Sequence, residues 1–426
     1  MTTLLNRHRV TRLTGFASGQ VAVQVIGFAS GMVLVRAMEP AQYGYYTLTV
    51  SMASIANILT DLGLASAVMA IGGRSTRNAL GSLLDDANAL HLRLGWLSLG
   101  LLAPCFAVLL LRQDAPPWQV AALTALAIAS AALNVRAGLA LSIGRLLGLV
   151  RLQLRLDLAV NVAKLGVLML AVGVALDATM ACAVNLFVAA ATWAVWTRHL
   201  DRSLDRSSES KRLPRVGHGP ALREQLWKQA PNSVYFVISS QLAVWLIGIF
   251  GNAERVAEVG ALSRLGALFT VIGAVSATLV MPYFARHHGV PALASGFVAV
   301  NGFFAAMLMA LVALSMAYPE AILWVLGGHY GALQSELVWM VVAATLSAWA
   351  GTVYSIGCAR GWVIPVGLNM GTGLLATVLA ILAVDVATVR GSFMINTATG
   401  MVGVLVTVGY FTWQLRRHAT AKAVCP

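Results

Sequence analysis

The sequence is short of charge, and of acid above all. Only 11% of the 426 residues are charged, and 16 Asp and Glu stand against 29 Lys and Arg. A soluble chain of this length needs more charge than that to cover its surface. Cysteine is scarce too. Cys105, Cys182, Cys358 and Cys425 show no paired spacing, which argues against a disulfide framework or a metal site. The eight histidines fall mostly between apolar segments and form no ligand spacing, so no metal or other cofactor is expected. No GxxxxGK[ST] loop for direct use of ATP is present, nor HExxH, GxSxG, Asp-x-Asp or paired intramembrane carboxylates. Asp85-Asp86, the only adjacent acidic pair, reads as a solvated turn. Nothing here marks an enzyme.

What fills the chain instead is apolar sequence: 59% hydrophobic residues and a mean hydropathy of +0.79. About 20 apolar residues cross roughly 30 Å of hydrocarbon as a helix. Twelve such spans are predicted, over 14–37, 43–71, 92–111, 118–142, 156–176, 178–197, 231–250, 259–282, 295–318, 334–357, 361–383 and 391–413. Runs of this length exclude a barrel, whose strands alternate over about ten residues. The basic start (Arg7, Arg9, Arg12) followed by a long apolar run reads as an uncleaved first span with its beginning in the cytoplasm. Alternating spans then put 22 cations on the inside and only Arg36, Arg112, Arg255 and Arg390 outside. The formal net charge of +13 is therefore a topology signal that needs no nucleic acid. Anionic lipid headgroups are its expected partners.

One polar segment, 198–230, divides the chain. The expected organisation is an N-terminal six-helix lobe (1–197), a cytoplasmic linker (198–230) with a short amphipathic helix near 220–229, and a C-terminal six-helix lobe (231–426). The lobes read as weak parallel copies. A polar hinge, Glu39-Pro40-Ala41-Gln42-Tyr43, joins the first two spans and ends in Gly44; Ala253–Gly260 (AERVAEVG) echoes it in the second half. Parallel repeats of this kind place substrate at the interface of the halves. The loops predicted to face outward are short, so any function resides among the helices.

Polar residues inside spans are costly and mark cavities or helix contacts. Gln20, Gln24, Gly27 and Gly31 share one face of the first span, Ser54, Asn57 and Asp61 one face of the second, and Asp157, Asn161 and Lys164 one face of the fifth. Asn134 and Arg136 lie in the fourth span, Asn232, Ser239, Ser240 and Gln241 in the seventh, Ser263 and Arg264 in the eighth. For the small and amide residues, packing between helices is the plain reading. Asp61 and Lys164 are expected roughly 12–15 Å from the cytoplasmic ends of their helices. Arg136 and Arg264 are expected roughly 8 Å from opposite sides. Cations at several depths with one deep carboxylate suit the passage of an anionic headgroup such as a pyrophosphate, which arginine binds bidentately and lysine as a point charge. Asp61 would pair with Lys164 or carry a coupling proton or sodium ion.

With those residues in view, the chain resembles the polysaccharide transporters, the Wzx-type oligosaccharide flippases. Arg36-Ala-Met-Glu-Pro-Ala-Gln-Tyr-Gly44 resembles their first-hairpin signature, and Asp61-Leu-Gly-Leu-Ala the end of their second span. Residues 259–286, closed by Pro282, are similar to their eighth span, and PEAILWVLGGHYGAL (319–333) to the segment after the ninth. Ala41-Gln42 departs from the usual acidic pair before Tyr-Gly. The resemblance implies membership of the multidrug/oligosaccharidyl-lipid/polysaccharide exporter superfamily: an all-α integral membrane protein with twelve spans in two lobes around a central, alternately opening cavity. It implies a polyprenyl-pyrophosphate-linked oligosaccharide as substrate, a bacterial inner membrane, and polysaccharide polymerase and chain-length machinery as partners in O-antigen or exopolysaccharide synthesis. On that reading Arg136 and Lys164 attract the pyrophosphate on the cytoplasmic side, and Arg264, less so Arg36, receives it on the other. Asn161, Asn57 and Gln24 line the path. Arg36 alternatively caps the hairpin or pairs with Glu39. Rival readings are a cation-coupled drug exporter of the same superfamily, a multi-span polymerase or ligase, and a membrane scaffold.

Overall fold

The computed structural model describes residues 2–73, 75, 79–173, 176–204, 217–266, 269, 272–273, 276, 280–286, 289–362 and 364–424. Arg74, Arg77, Cys425, the centre of the linker (205–216) and much of the eighth span after Gly266 lie outside the described residues. So do the side chains of Arg7, Arg9, Arg12, Asn232, Pro282, Arg286 and Lys422.

Among the described residues the regular structure is helical throughout. The elements are α1 (Thr2–Ala37), α2 (Pro40–Asp61), α3 (Leu64–Gly72), α4 (Ala79–Leu111), α5 (Pro117–Leu146), α6 (Val150–Val172), α7 (Ala178–Ser203), α8 (Gly219–Phe250), α9 (Ala253–Gly266), α10 (Met281–Arg286), α11 (Val290–Ala317), α12 (Pro319–Trp324), a 3-10 turn (Gly328–Tyr330), α13 (Gln334–Ala359), α14 (Val366–Ala383) and α15 (Val389–Val424). Among the described residues seven helices are long and apolar enough to cross a membrane, or nine if each of two bent pairs is one span. The pairs are α2 with α3, and the two halves of α4 on either side of residues 97–99. The other three expected spans correspond to α6, α8 and the α9–α10 segment. Arg151, Arg155, Asp157 and Lys164 break the hydropathy of α6, and only Ser239–Phe250 of α8 is strongly apolar. Twelve spans are consistent with these elements. On α11 and α14 only 11% of the apolar window is buried. Lipid is the medium that would cover faces this apolar.

Contacts divide the chain into two compact units: a continuous one, Ala37–Ala257, and a composite one, Met1–Arg36 with Glu258–Pro426. The division differs from one at the linker, because α1 groups with the C-terminal helices and α8 with the N-terminal ones.

The continuous unit is α2–α8 with the start of α9. Its main apolar cluster holds Leu64 and Val68 of α3, Leu83 of α4, Leu139 and Ile143 of α5 and Trp196 of α7. The amphipathic start of α8 joins it. Leu222, Leu226 and Ala230, one turn apart, are buried there, while Arg223 and Trp227 are exposed. The His218 N–H donates to Asp86 Oδ2 at 2.7 Å, fixing where the linker ends.

The composite unit packs α11, α13, α14 and α15 together. Its core is aromatic: Phe297 stacks on Phe411 at 4.2 Å between centroids, with Phe284 and Trp362 edge-on to the same ring.

Candidate functional site

The first hairpin is tighter than the sequence implied. Only Met38 and Glu39 lie outside helix, since Pro40 through Tyr43 form the first turn of α2. Proline suits that position because its fixed φ and missing N–H cost nothing in a first turn. The echo in the second half is also helical. Ala253–Gly260 lies inside α9, and the turn is Gly251-Asn252, where Asn252 Oδ1 accepts the Arg255 N–H at 3.0 Å.

Within the continuous unit the start of α2 is tied in by buried polar contacts. Gln119 Nε2 donates to Gln42 Oε1 at 2.7 Å, which also accepts the Ala178 N–H. Tyr45 Oη donates to the Gln113 carbonyl at 2.9 Å, and Gln113 Nε2 to the Gly248 carbonyl at 2.6 Å. Tyr43 is completely buried. Gly44 abuts the Ala253 carbonyl so closely that a Cβ would collide with it. The Tyr-Gly of the hairpin is thus a packing device: a ring that fills and a missing side chain that admits α9.

Arg36, in the composite unit, is exposed, and its donors are taken by backbone carbonyls of the same unit. Its Nη2 and Nε donate to the Trp324 and Val325 carbonyls at 2.6 and 2.9 Å, and its guanidinium lies 4.8 Å from the centre of the Trp324 ring. It caps the last carbonyls of α12, where orphan acceptors gather.

Asp61 ends α2 at a break. Leu62 and Gly63 take left-handed φ values of 43° and 88°, and α3 leaves at 40° to α2. The Asp61 carboxylate accepts the N–H groups of Gly63 and Ala65 at 3.2 and 3.0 Å. It is the cap that restarts the helix. The expected pairing with Lys164 is therefore replaced by engagement at the break, with His91 within electrostatic reach. Sequence reasoning missed His91, which fell just outside the span 92–111. In the structure it is a buried α4 residue, 2% exposed, whose Nδ1 lies 3.5 Å from the Thr60 carbonyl and which also senses Arg136.

Depth explains why Lys164 is elsewhere. Polar helix ends read as loops are helical, so α6 begins at Val150, α9 at Ala253, and α5 runs on to Leu146. At 1.5 Å per residue Lys164 is about 21 Å into α6, Arg264 about 16 Å into α9, and Arg136 about 15 Å from the end of α5. All three cations are half-buried and farther along their helices than expected, Arg136 and Lys164 inside α5 and α6 and Arg264 in the last turn of α9. Lys164 lies within electrostatic reach of Cys182 and so towards the α6–α7 turn, whereas Asp61 is at the other end of the unit.

The amide residues divide. Asn161 Nδ2 is taken by the Asp157 carbonyl of its own helix at 2.8 Å. Asn57 Oδ1 is buried with no hydrogen-bond partner among the described residues. In the composite unit Gln24 is exposed, and two turns on Gly31 is buried against Arg264. A Cβ on Gly31 would come 3.2 Å from Arg264 Cδ. The structure thus sets Arg264 against α1, and Asp61 and Arg136 each within electrostatic reach of His91. Among the described residues no His, Cys, Asp and Glu group is fit for a metal.

No protein-family model and no curated protein matches the sequence. Solved structures do match its fold. A multidrug resistance MATE family transporter of the MOP superfamily, in an inward-facing conformation, aligns over 95% of this chain and 96% of its own at TM-score 0.73 and 16% identity. The lipid II flippase MurJ, in an inward closed conformation, aligns over 94% and 87% at TM-score 0.72 and 11% identity. A MOP superfamily transporter from Pyrococcus furiosus aligns over 96% and 95% at TM-score 0.62 and 14% identity. The chain has the fold of these membrane transporters.

Proposed function

We propose that this protein is a flippase that moves a polyprenyl-pyrophosphate-linked oligosaccharide across a bacterial inner membrane by alternating access, in surface polysaccharide synthesis. The observation that carries the reading is the depth of the cations. Arg136 and Lys164 lie about 15 and 12 Å from the nearer ends of α5 and α6, far from the ends to which long side chains snorkel at little cost, and Arg264 lies in the last turn of α9 against α1. Intramembrane cations suit a pyrophosphate, and Gly31 leaves room for Arg264 to lie against the polar face of α1. The resemblance to the oligosaccharide flippases and the fold shared with a lipid II flippase support the same substrate class.

Arg136 and Lys164 receive the diphosphate in the continuous unit and Arg264 in the composite unit, while the polyprenyl tail stays in lipid. Asn57, Asn161 and Gln24 are secondary contacts on the path. Arg36 is better assigned to the fold. A polymerase and chain-length machinery would consume the product.

The test is translocation of a fluorescent polyprenyl-diphosphate oligosaccharide in proteoliposomes, with purified Arg136→Ala, Lys164→Ala and Arg264→Ala beside wild type. Each is expected to lose most transport while eluting as a folded protein. Full transport by all three overturns the cationic path. Drug efflux without lipid flipping moves the protein to the multidrug reading.

A further inference from the structure

The composite unit is polarised in charge along its helices. It has four carboxylates, Glu258, Glu320, Glu336 and Asp385. All stand towards one end, that of Arg36 and α12: Glu258 near the start of α9, Glu320 in the first turn of α12, Glu336 in that of α13, and Asp385 just before α15. The opposite end carries Arg360 at the close of α13 and Arg416, Arg417 and His418 late in α15. Arg360 is about 36 Å along α13 from Glu336, and Arg417 about 42 Å from the start of α15. Among the described residues of the unit no carboxylate lies in sequence near Arg416 and Arg417.

Aromatic rings carry them. The Arg417 guanidinium lies 4.8 Å from the centre of the Trp413 ring, and Trp413 is 47% exposed. Arg360 lies 5.3 Å over Trp362, whose ring is 6.0 Å from His418 and backed by Phe411 at 5.0 Å. Arg416 and Arg417 are exposed. The continuous unit is built otherwise. Around its α5–α6 turn and the end of α7, Arg145, Arg151, Arg155, Arg198 and Arg202 are interleaved with Asp157 and Asp201, and Arg145 reaches Asp157 through Gln153.

We infer that this end of the composite unit is a binding site for the headgroups of anionic phospholipids. Tryptophan settles at headgroup level, and juxtamembrane cations attract anionic lipid. A guanidinium held on a ring presents its fork to a phosphodiester with less freedom to lose. Among the described residues of the unit no carboxylate stands at the Arg416–Arg417 end to compete with an outside anion for the Arg417 fork. The inference rests on membrane placement and not on what is transported.

The test uses the full-length protein in neutral detergent, titrated with phosphatidylglycerol or phosphatidylcholine and read by native mass spectrometry and thermal unfolding. Phosphatidylglycerol is expected to bind and raise the unfolding midpoint, phosphatidylcholine not. In Arg416→Gln/Arg417→Gln the affinity for phosphatidylglycerol should fall about tenfold or more. In Arg151→Gln/Arg155→Gln it should stay within about twofold. Both pairs are exposed, so folding should survive; the single variants carry the test if the double one does not express. Equal loss in the two double variants, or none in the first, overturns the site. Displacement of the lipid by an equal concentration of inorganic pyrophosphate overturns the assignment to lipid, because the site would then be one for a free diphosphate.

Discussion

Arg36 donates to the carbonyl of Trp324, 288 positions away, at 2.6 Å, and covers the same residue's ring. One side chain thereby holds the end of α1 to the end of α12. The arginine of the first hairpin and the segment PEAILWVLGGHYGAL are a single contact. Gly327, at φ 105°, lets the chain turn beneath the arginine stem, where an added Cβ would come 3.4 Å from its Cγ.

Arg36→Ala should therefore lower stability and leave the transport chemistry intact. Two charge-assisted hydrogen bonds at a partly solvated site are worth about 1–3 kcal/mol together. Lysine cannot reproduce the fork and should recover less than half of that. Glu39→Ala should be silent, since Glu39 is exposed and its side chain makes no cap. Thermal unfolding in detergent reads all three. Equal destabilisation by Glu39→Ala and Arg36→Ala, with no further loss in the double variant, would restore the Arg36–Glu39 pairing.

Gly44→Ala should reverse the usual sign of a glycine-to-alanine change in a helix. Alanine normally gains about 1 kcal/mol, but here its methyl would meet the Ala253 carbonyl, which is backbone and cannot swing aside. Overpacking of about 1–3 kcal/mol or more should dominate. Gly166→Ala on α6 and Gly138→Ala on α5 meet nothing within 4 Å and should stabilise. Unfolding midpoints of the three variants decide it.

Much of this architecture is legible in sequence. Spans in both halves follow from apolar runs, and α8's amphipathic start from Leu222 and Leu226. The ends of helices are not legible, because charged residues such as Arg151, Arg155 and Glu254 continue a helix once neighbours satisfy its backbone. That is why Lys164 and Arg264 lie farther from the starts of their helices than the apolar runs imply, and why His91 falls outside the span read for its helix. Nor does sequence show which distant carbonyls an arginine will cap. Arg36 and Asp61 stand out as charges near apolar segments, yet both spend their polar atoms on backbone groups.

Asp61 can be tested for a second role. Asparagine caps helices about as well as aspartate, so Asp61→Asn should fold with a loss under about 1 kcal/mol. Asp61→Ala frees the N–H groups of Gly63 and Ala65 and should cost about 1–2 kcal/mol. If Asp61 is only the cap, Asp61→Asn transports normally. Loss of transport by a stable Asp61→Asn would show that its charge carries a coupling ion.

The Gly31–Arg264 contact gives a graded test of the transport reading. Alanine at 31 would sit 3.2 Å from Arg264 Cδ, an atom of a flexible side chain that yields by a few tenths of an ångström. Gly31→Ala should keep its fold and most of its activity. Leucine there would need the volume the guanidinium stem occupies, so Arg264 must leave the face of α1. A functional Arg264 predicts that Gly31→Leu fails to transport as Arg264→Ala does, and that the two changes together cost no more than either alone. Were Arg264 merely packing, Gly31→Leu would lose stability first, and Gly31→Leu/Arg264→Ala, with the space reopened, would transport better than Gly31→Leu. Proteoliposome rates set beside unfolding midpoints separate the two outcomes.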